Sequence, residues 1–405
     1  MQTFIGFQEA LEITLANVSA GPTNILALSR LTGRFLAENV TARVDCPSIS
    51  SSRKDGYAVQ SSDLAGASED NPVILKVVGS LAAGQSADVE IKTGEAARVT
   101  TGAPLPESAD AVLSEEFCRR HEDKIEAVNT AEAGRNIQVR GRDIKRKQPV
   151  ASRGTPLTPA LIGLLAAAGR DSAEVYRLPR AAVIATGDEV VAPGTPLPPG
   201  KLYASNLAQI CSWLSLLGFD HAAELVVDRA EAIAAAIAAQ LPKSDLLITS
   251  GGASGSEKDL ILGVVESMDW QGLFHRVRMG PGKPVGFGLL QGKPFFFLPG
   301  GPPSNEMAFL QLVIPALLKM AGADTILFPF VPARLAQTVS GKTGWTDFVH
   351  ARLETREDQL WVHPARLESW LQSMARKDAL IVIPEDRREL PAGEILNVQL
   401  LKPAF

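Results

Sequence analysis

The chain of 405 residues is poor in cysteine and histidine, and neither type is arranged as a metal centre or a disulfide framework requires. Its three cysteines, Cys46, Cys118 and Cys211, form no Cys-x-x-Cys pair. A zinc ribbon or a set of disulfides is therefore not expected, and a reducing cytoplasm is the predicted location. The five histidines also lack ligand spacing, which argues against a histidine-based metal site.

Long apolar runs, an excess of basic charge and several well-known catalytic signatures are missing as well. The longest apolar candidate, Leu161–Ala168, is far shorter than a membrane span, and the first residues do not resemble a signal peptide. The net charge of −5 argues against a nucleic-acid partner. No Gly-x-Ser-x-Gly, Walker A or Gly-x-Gly-x-x-Gly sequence occurs, so serine-hydrolase, P-loop and Rossmann functions are not predicted. We expect neither nucleic acid nor a membrane as a partner.

The most informative pattern that is present is an apolar run followed by a glycine-rich loop, which occurs three times between residues 181 and 310. Such runs, alternating with helical patterns, are typical of buried strands in a parallel sheet. The loops that follow them are Gly187-Asp188-Glu189, Gly251-Gly252 and Pro299-Gly300-Gly301. Loops at the carboxyl ends of parallel strands converge on one crevice, and glycine lets backbone N–H groups approach an anion closely. The sequence therefore predicts a site for a phosphorylated ligand.

Changes of texture along the chain predict a multidomain protein of the α/β plus β class. A chain of this length is too long for one core. Short runs between turn residues predict a β-rich domain at 43–137, inserted into a helical linker domain formed by 1–42 and 138–175. Residues 176–325 are predicted to form an α/β domain with a mostly parallel sheet, and 326–405 a small C-terminal domain resembling a β-barrel. Apolar spacing and capping residues predict helices at 4–18, 33–38, 158–168, 205–217, 230–241, 256–268 and 304–318.

Carboxylates accompany two of the glycine loops. Asp188 and Glu189 follow the first strand, and Asp259 belongs to the loop after the second. Taken alone, Thr186-Gly187-Asp188-Glu189 fits a helix start or a solvated turn as well as it fits a metal site. Mg²⁺, however, takes oxygen ligands and commonly bridges one or two carboxylates to a phosphate, so the two loops together predict a magnesium site at Asp188, Glu189 and Asp259. Lys283, on a Pro-Gly-Lys-Pro turn, is a candidate phosphate ligand.

Seven short motifs, taken together and in order, resemble the MoeA family of molybdopterin molybdenumtransferases, which includes the gephyrin E domain. Each motif alone is weak; Asp55-Gly56-Tyr57, for example, predicts only a turn. The motifs are Lys54-Asp55-Gly56-Tyr57-Ala58, Thr101-Gly102-Ala103-Pro104, Gly141-Arg142-Asp143-Ile144, Ala185-Thr186-Gly187-Asp188-Glu189, Ser250-Gly251-Gly252 with Asp259, Pro281-Gly282-Lys283-Pro284 and Leu298-Pro299-Gly300. The resemblance covers nearly the whole chain.

The resemblance implies an elongated homodimer of four domains per subunit, with residues 176–325 binding molybdopterin. It implies a Mg²⁺-dependent reaction in which adenylylated molybdopterin and molybdate, or tungstate, give molybdenum cofactor and AMP. The molybdopterin adenylyltransferase is a candidate partner. The catalytic residues that the resemblance implies are Asp55, Thr101, Asp143, Asp228 and Asp259, with Glu189 as a further acid. The residues assigned to the substrate and its phosphates are Thr186, Gly187, Ser250, Gly251, Gly252, Lys283, Pro299 and Gly300.

The chain departs from the family pattern where the resemblance places the oxyanion. Gly280 stands where the family has a lysine, His350 where it has an arginine, and Leu367-Glu368-Ser369-Trp370 where it has a Gly-Ser-Gly turn. Because an imidazole is mostly neutral at pH 7, we expect weaker molybdate binding here, and stronger binding at acid pH. Nearby residues that are basic or carry a hydroxyl, and are therefore candidates for oxyanion binding, are Arg276, Arg278, His350 and Ser369.

Two functions follow from this pattern. The first is a transferase, and the retained Asp228 and Asp259 favour it. The second is a non-catalytic paralogue that binds molybdopterin, its adenylate or the finished cofactor for storage or delivery, and the altered oxyanion residues favour that alternative.

Overall fold

The computed structural model describes residues 1–251, 260–365 and 369–401. These residues form two compact units. The first unit contains Met1–Glu38, Arg153–Thr158 and Ala173–Phe405, and the second contains Asn39–Ser152 and Pro159–Ser172. The predicted division into four domains stays a prediction.

Two of the predicted helices differ from the structure. The helices, in chain order, are α1 (Phe7–Ala16), α2 (Pro159–Ala167), α3 (Ser205–Leu216), α4 (Ala230–Gln240), α5 (Leu260–Glu266), α6 (Pro302–Ala308), α7 (Ile314–Met320) and α8 (Trp370–Arg376). A π-helical segment, Phe309–Val313, joins α6 to α7. The prediction of helix from residue 4 was wrong at its start, because Gln2–Gly6 forms a strand paired with Trp270–Gly280, and this tertiary pairing overrides local helical spacing. The helix predicted at 33–38 is also absent from this described segment, where Phe35 and Leu36 form isolated bridges instead.

The α/β part of the first unit is a parallel sheet extended by antiparallel strands. Its four parallel strands lie in the order His221–Val226, Ala181–Thr186, Leu246–Ser250 and Lys293–Leu298. Gly286–Leu290 and Trp270–Gly280 continue the sheet in antiparallel pairing. The apolar runs that predicted buried parallel strands are thus confirmed as strands.

Helices cover both faces of this sheet and bury its side chains. On one face, Ile184 and Phe295 pack with residues of α4 and α5. On the other face, Val183, Ile248 and Phe296 pack with residues of α1, α3, α6 and α7. Burial on both faces explains why the strands are continuously apolar rather than alternating.

The C-terminal strands close into a five-stranded barrel, in which each strand pairs with two neighbours. The strands, in order around the barrel, are Thr346–Arg356, Gln359–Pro364, Phe330–Leu335, Ile395–Leu400 and Ala379–Ile383. Pairing of Met279 with Thr346 and of Gly280 with Asp347 joins the barrel to the α/β sheet. The predicted small C-terminal barrel is confirmed. Three short ladders, all within the first unit except for Ser172, complete the pairing: Thr23–Ala27 with Ser172–Tyr176, Val190–Val191 with Leu202–Tyr203, and Val339–Ser340 with Glu389–Leu390.

The second unit is built on a six-stranded sheet. The strands, in spatial order, are Ala111–Ser114, Gly56–Val59, Glu95–Val99, Val73–Leu81, Lys124–Ala127 and Cys118–His121. Two short ladders join Ser51–Ser52 to Ile137–Gln138, and Val40–Thr41 to Pro149–Ala151. Tyr57, Leu75 and Ile125 lie in its core. The β-rich character predicted for residues 43–137 is confirmed.

Within the part of the chain that the structure describes, no helix is both long enough and apolar enough to cross a membrane.

Candidate functional site

The carboxyl ends of three neighbouring parallel strands meet in a crevice of about 390 Å³. Thr186 ends one strand and Ser250 the next, and Gly300 follows the third. All three line the crevice, together with Glu189 and Gly251. The structure therefore brings together the glycine loops that the sequence pattern placed at one edge of the sheet.

Gly251 lets two of these loops approach each other more closely than any side chain would permit. Its φ is +105°, and a Cβ atom built there would lie 2.3 Å from the carbonyl oxygen of Thr186. A Cβ atom on Gly300 would lie 4.0 Å from the Gly251 Cα. The requirement for glycine at 251 is thus both conformational and steric, and bare backbone faces the crevice.

Two asparagines, the buried Asn305 and the half-buried Asn206, brace the loops, and sequence reasoning missed both. Asn305 Nδ2 donates to Ser250 Oγ at 3.0 Å and to the Pro299 carbonyl at 2.8 Å. Asn206 Nδ2 donates to the Gly300 carbonyl at 2.8 Å. The Oδ1 atoms of both asparagines are buried, and neither atom has a hydrogen-bond partner among the described residues. Each asparagine lies at the start of a helix facing a glycine loop, which is the signal that could have identified it.

Carboxylates gather beside the first strand end. Asp228 Oδ1 accepts a hydrogen bond from Thr186 Oγ1 at 3.0 Å, and the Asp228 N–H donates to Asp188 Oδ1 at 3.3 Å. Lys201 Nζ donates to the Asp188 carbonyl. Glu189 adds a third carboxylate at the crevice itself.

These carboxylates suit magnesium by their chemistry. Their oxygens are hard donors, and Mg²⁺ usually takes only one or two carboxylates in addition to substrate phosphates. In residues 1–251, 260–365 and 369–401, no three Asp, Glu, His or Cys side chains form a ready-made metal cage. Two of the sequence-predicted site residues, Gly252 and Asp259, lie outside the described residues.

A second cavity, of about 730 Å³, lies on the other side of the helix ends that border the crevice. Pro302 of α6 and Leu371 of α8 line the crevice, whereas their chain neighbours Pro303 and Trp370 line the cavity. The Trp370 residue is 69% exposed. The two spaces therefore share a wall made of the first turns of α6 and α8.

Of the four candidate oxyanion residues, only His350 lines this cavity. Arg278 is used elsewhere: it donates to the carbonyls of Phe4 and Gly344 at 2.9 Å and lies 3.4 Å from a Glu385 oxygen. Ser369 Oγ caps α8, accepting the Gln372 N–H at 3.4 Å.

Arg276 and Lys283 also lie apart from the cavity lining. Arg276 belongs to the strand Trp270–Gly280 and has a φ of +65°. The ammonium group of Lys283 lies 5.6 Å from the ring centre of Phe4 and 5.9 Å from that of Trp345. Leu367 and Glu368, part of the altered turn, fall outside the described residues. The oxyanion and phosphate roles of these residues stay predictions.

His350, which lines the cavity, belongs to a group of four side chains that we call the Glu306 cluster: the buried Glu306, His350 and Lys377 and the half-buried Gln209. Glu306 Oε1 accepts hydrogen bonds from Lys377 Nζ at 2.7 Å and from Gln209 Nε2. Glu306 Oε2 lies 3.5 Å from His350 Nε2. Sequence reasoning missed Glu306 and Lys377. Glu306 is the single acid between residues 302 and 320, and an acid in so apolar a helix requires a buried partner, which is the available signal.

In the second unit, the predicted residues Asp55 and Thr101 are joined directly. Asp55 Oδ1 accepts the Thr101 N–H at 2.6 Å and the Thr101 Oγ1–H at 2.9 Å. The backbone hydrogen bond from Thr101, followed by the hydroxyl bond, lowers the pKa of Asp55 below its ordinary value. Asp143 is exposed, and its N–H donates to the Cys46 carbonyl at 3.0 Å.

A third carboxylate of the second unit holds the loop that contains Asp143. Asp45 accepts hydrogen bonds from the Arg146 N–H and from Arg140 Nε, both at 2.7 Å. The first of these, followed by the second, lowers the pKa of Asp45. The carboxylate is therefore kept charged beneath the Gly141-Arg142-Asp143 motif.

Comparison with known proteins agrees with this arrangement along the chain. The family model described as MoeA N-terminal region (domain I and II) matches residues 5–169. The probable molybdopterin binding domain matches residues 182–319, and the MoeA C-terminal region (domain IV) matches residues 332–401. These three segments cover both units.

Individual relatives match over nearly their whole length. Molybdopterin molybdenumtransferase 2 of Mycobacterium tuberculosis is 31% identical over 92% of this chain and 93% of its own. The molybdopterin molybdenumtransferase of Bacillus subtilis is 30% identical over 99% of this chain and 95% of its own. A crystal structure of the molybdopterin biosynthesis MoeA protein from Pyrococcus horikoshii is 32% identical, covers 99% of this chain and 100% of its own, and superposes with a TM-score of 0.84. Identity and fold agree over the full length, and the chain therefore belongs to the MoeA family of molybdopterin molybdenumtransferases.

Proposed function

We propose that the chain is a molybdopterin molybdenumtransferase, which transfers molybdate or tungstate to adenylylated molybdopterin with release of AMP. The observation that carries this proposal is the strand-end crevice, where the bare backbone at Gly251 and Gly300 lies beside the carboxylates of Glu189, Asp228 and Asp188. Backbone N–H groups suit a phosphate, and carboxylates suit the cation that accompanies one.

Each group of the crevice has a distinct task in this reaction. The glycine loops bind the phosphates, and the two asparagines keep the loops at a fixed separation. Asp228 holds the Thr186 hydroxyl, so that side chain stays at the crevice wall. Asp188 and Glu189, with Asp259, are the proposed magnesium ligands, and bound Mg²⁺ would neutralise phosphate charge as the phosphoanhydride is cleaved.

The cavity beyond the α6 and α8 wall is the proposed oxyanion site. It adjoins the crevice, and Lys342 and His350 line it. A ligand with a phosphate end and a reactive end could then reach both spaces across one wall. The homodimer, the partnership with the molybdopterin adenylyltransferase and a cytoplasmic location belong to the same proposal and rest on the family resemblance.

The alternative is a binding paralogue for molybdopterin, its adenylate or the finished cofactor. One observation favours it: Arg278 is engaged by three groups outside the cavity lining, and His350 faces Glu306. The permanent positive charge expected of an oxyanion site is therefore reduced.

The test incubates the protein with adenylylated molybdopterin, Mg²⁺ and either molybdate or tungstate, and measures AMP release and ligand binding separately. A transferase releases AMP when oxyanion and Mg²⁺ are both present. Asp228→Asn should lower AMP release at least tenfold, whereas Asp358→Asn should not, because Asp358 lies on an exposed turn with φ +62°, which asparagine also adopts. Tight binding of the adenylate without AMP release would establish the binding paralogue instead, and absence of binding would refute both functions.

A further inference from the structure

The Glu306 cluster contains two buried polar atoms that lack a hydrogen bond and face each other. The side chains are almost inaccessible: Glu306 is 1% exposed, His350 5% and Lys377 6%. Glu306 Oε2 and His350 Nε2 have no hydrogen-bond partner within the described residues, and the two atoms are 3.5 Å apart. Unpaired buried polar groups are costly, so a hydrogen bond between these two atoms is the simplest way to satisfy both.

Glu306 cannot supply the hydrogen for that bond while it is ionised. A carboxylate only accepts, and the other oxygen of Glu306 is paired with the Lys377 ammonium group at 2.7 Å. The hydrogen must therefore be on His350 Nε2. A neutral imidazole carries one N–H, so with Nε2 protonated its other nitrogen, Nδ1, presents a lone pair.

This tautomer determines what His350 offers to the cavity that it lines. A lone pair on Nδ1 repels an oxyanion, whereas the imidazolium form carries hydrogens on both nitrogens. The imidazolium can donate from Nε2 to Glu306 and from Nδ1 to an anion at the same time.

Other charged groups lie around His350: Lys342 lines the same cavity, with its ammonium group 4.1 Å from the ring centre of Trp345, and Arg352 is exposed on the strand of His350. Asp347, on the same strand, accepts the Lys342 N–H at 2.6 Å, and Asp378, at the start of the neighbouring barrel strand, accepts the Leu353 N–H at 3.1 Å. On the other neighbouring strand, His363 pairs with Glu354. From the α/β sheet, Arg278 is held by Glu385 and two carbonyls. Residues 366–368 are outside the described part of the chain.

We propose that Glu306 is a positioning residue that fixes the Nε2–H form of His350, so that oxyanion binding in the cavity is coupled to uptake of one proton by His350. The proton comes from solvent, and no bond other than this N–H is formed. The inference rests on the proposed function for the identity of the oxyanion, but it concerns binding alone.

The experiment measures binding of inorganic molybdate, tungstate and sulfate to the full chain by calorimetry between pH 6.5 and 8.5. For a one-proton linkage, the dissociation constant rises about tenfold per pH unit once His350 is neutral. Titration at pH 7.5 in HEPES and in Tris, whose ionisation enthalpies differ, should show uptake of up to one proton per bound anion.

Two variants separate positioning from a general loss of structure. His350→Gln has no titrating group, so its affinity should be weak and independent of pH. Glu306→Gln can donate its amide hydrogen to His350 Nε2, which allows neutral His350 to carry its hydrogen on Nδ1. That variant should bind the anion at pH 8.5 more tightly than wild type and show a flatter pH profile.

Three results would overturn the proposal: affinity of wild type that does not change with pH, no proton uptake, or a pH dependence that persists in His350→Gln. Absence of any oxyanion binding by wild type would also overturn it. If Glu306→Gln does not fold, two measurements still test the coupling of anion binding to proton uptake. They are the titration of wild type in HEPES and in Tris, and the pH dependence of anion affinity in His350→Gln. AMP release plays no part in these measurements, so failure of this inference and failure of the proposed transferase activity are distinguishable.

Discussion

Gly280 should be intolerant of any side chain, because Asp347 occupies the space beside it. A Cβ atom built on Gly280 would lie 2.2 Å from Asp347 Oδ1, and one built on Gly341 would lie 2.8 Å from Oδ2. Asp347 cannot easily move away, since its Oδ2 also accepts the Lys342 N–H at 2.6 Å. Overpacking of this kind costs about 1–3 kcal/mol, so Gly280→Ala should lower the free energy of unfolding by that amount.

The origin of this cost can be isolated with a double-mutant cycle. Asp347→Ala alone should cost about 1 kcal/mol for the lost hydrogen bond. If the clash is the cause, adding Gly280→Ala to it should cost little more, which gives a coupling energy of about 1–3 kcal/mol. Gly263→Ala is the matched control: Gly263 lies inside α5, and a Cβ atom built on it would meet no atom within 4 Å, so alanine should stabilise by about 0.5–1 kcal/mol.

Urea unfolding followed by tryptophan fluorescence suits this cycle, because all five tryptophans lie between residues 173 and 405, within the first unit. Two results would refute the reasoning. One is a Gly280→Ala protein within about 0.5 kcal/mol of wild type, the range of harmless surface changes. The other is a double variant whose cost equals the sum of the single costs.

Three further predictions follow from hydrogen bonds elsewhere. Thr101→Val keeps the backbone donor but removes the hydroxyl, so the pKa of Asp55 should rise part of the way toward 3.8, as measured by carboxyl ¹³C NMR; an unchanged value would contradict the assignment. Burial raises the pKa of Asp245, but hydrogen bonds from the Arg177 side chain and a backbone N–H outweigh that effect, so the pKa in the folded protein lies below the ordinary value of 3.8. Its contribution to stability is therefore present above pH 3.8 and lost as the pH falls through the lower folded value, so Asp245→Asn should be less stable at pH 7 and show a flatter acid-unfolding curve; equal curves would exclude this. Asn305→Ala leaves two loop acceptors without their donor and should cost about 1–3 kcal/mol in urea unfolding, with weaker nucleotide binding; a variant unchanged in both would show that the bracing is dispensable.

Much of the fold could be predicted because the sequence carries the relevant periodicities. The continuously apolar runs at 181–186 and 294–298 indicate burial on both faces, which a helix-covered parallel sheet provides. Helices α3 and α4 begin and end within one residue of their predicted bounds. The start of the chain was mispredicted because Phe4, at helical spacing from Phe7, instead lies in a strand with a φ of +61°. Pairing with a strand some 270 residues away leaves no local signal.

The sequence predicted the candidate site where the arrangement depends on the backbone itself, as it does in the glycine loops. Glycine at 251 indicates that another group approaches the backbone closely there, whatever that group is. In the structure the group is the carbonyl oxygen of Thr186. Side chains whose role depends on a distant partner could not be assigned in this way. Arg278 is basic and near the right motif, yet its partners are Phe4, Gly344 and Glu385, each more than 60 residues away.

Contacts with residues distant in sequence also explain how the cavity differs from an oxyanion site that has a lysine at position 280 and an arginine at position 350. At position 280 the space is taken by Asp347, and at position 350 the imidazole faces Glu306. Among the described residues that line the cavity, Lys342 is the one permanent cation, and its ammonium group lies 4.1 Å from the ring centre of Trp345. With Asp347 present, the lining has no net positive charge while His350 is neutral, and one positive charge once His350 is protonated. The proposed proton uptake by His350 would therefore supply the positive charge that a lysine and an arginine in the same two positions would carry permanently.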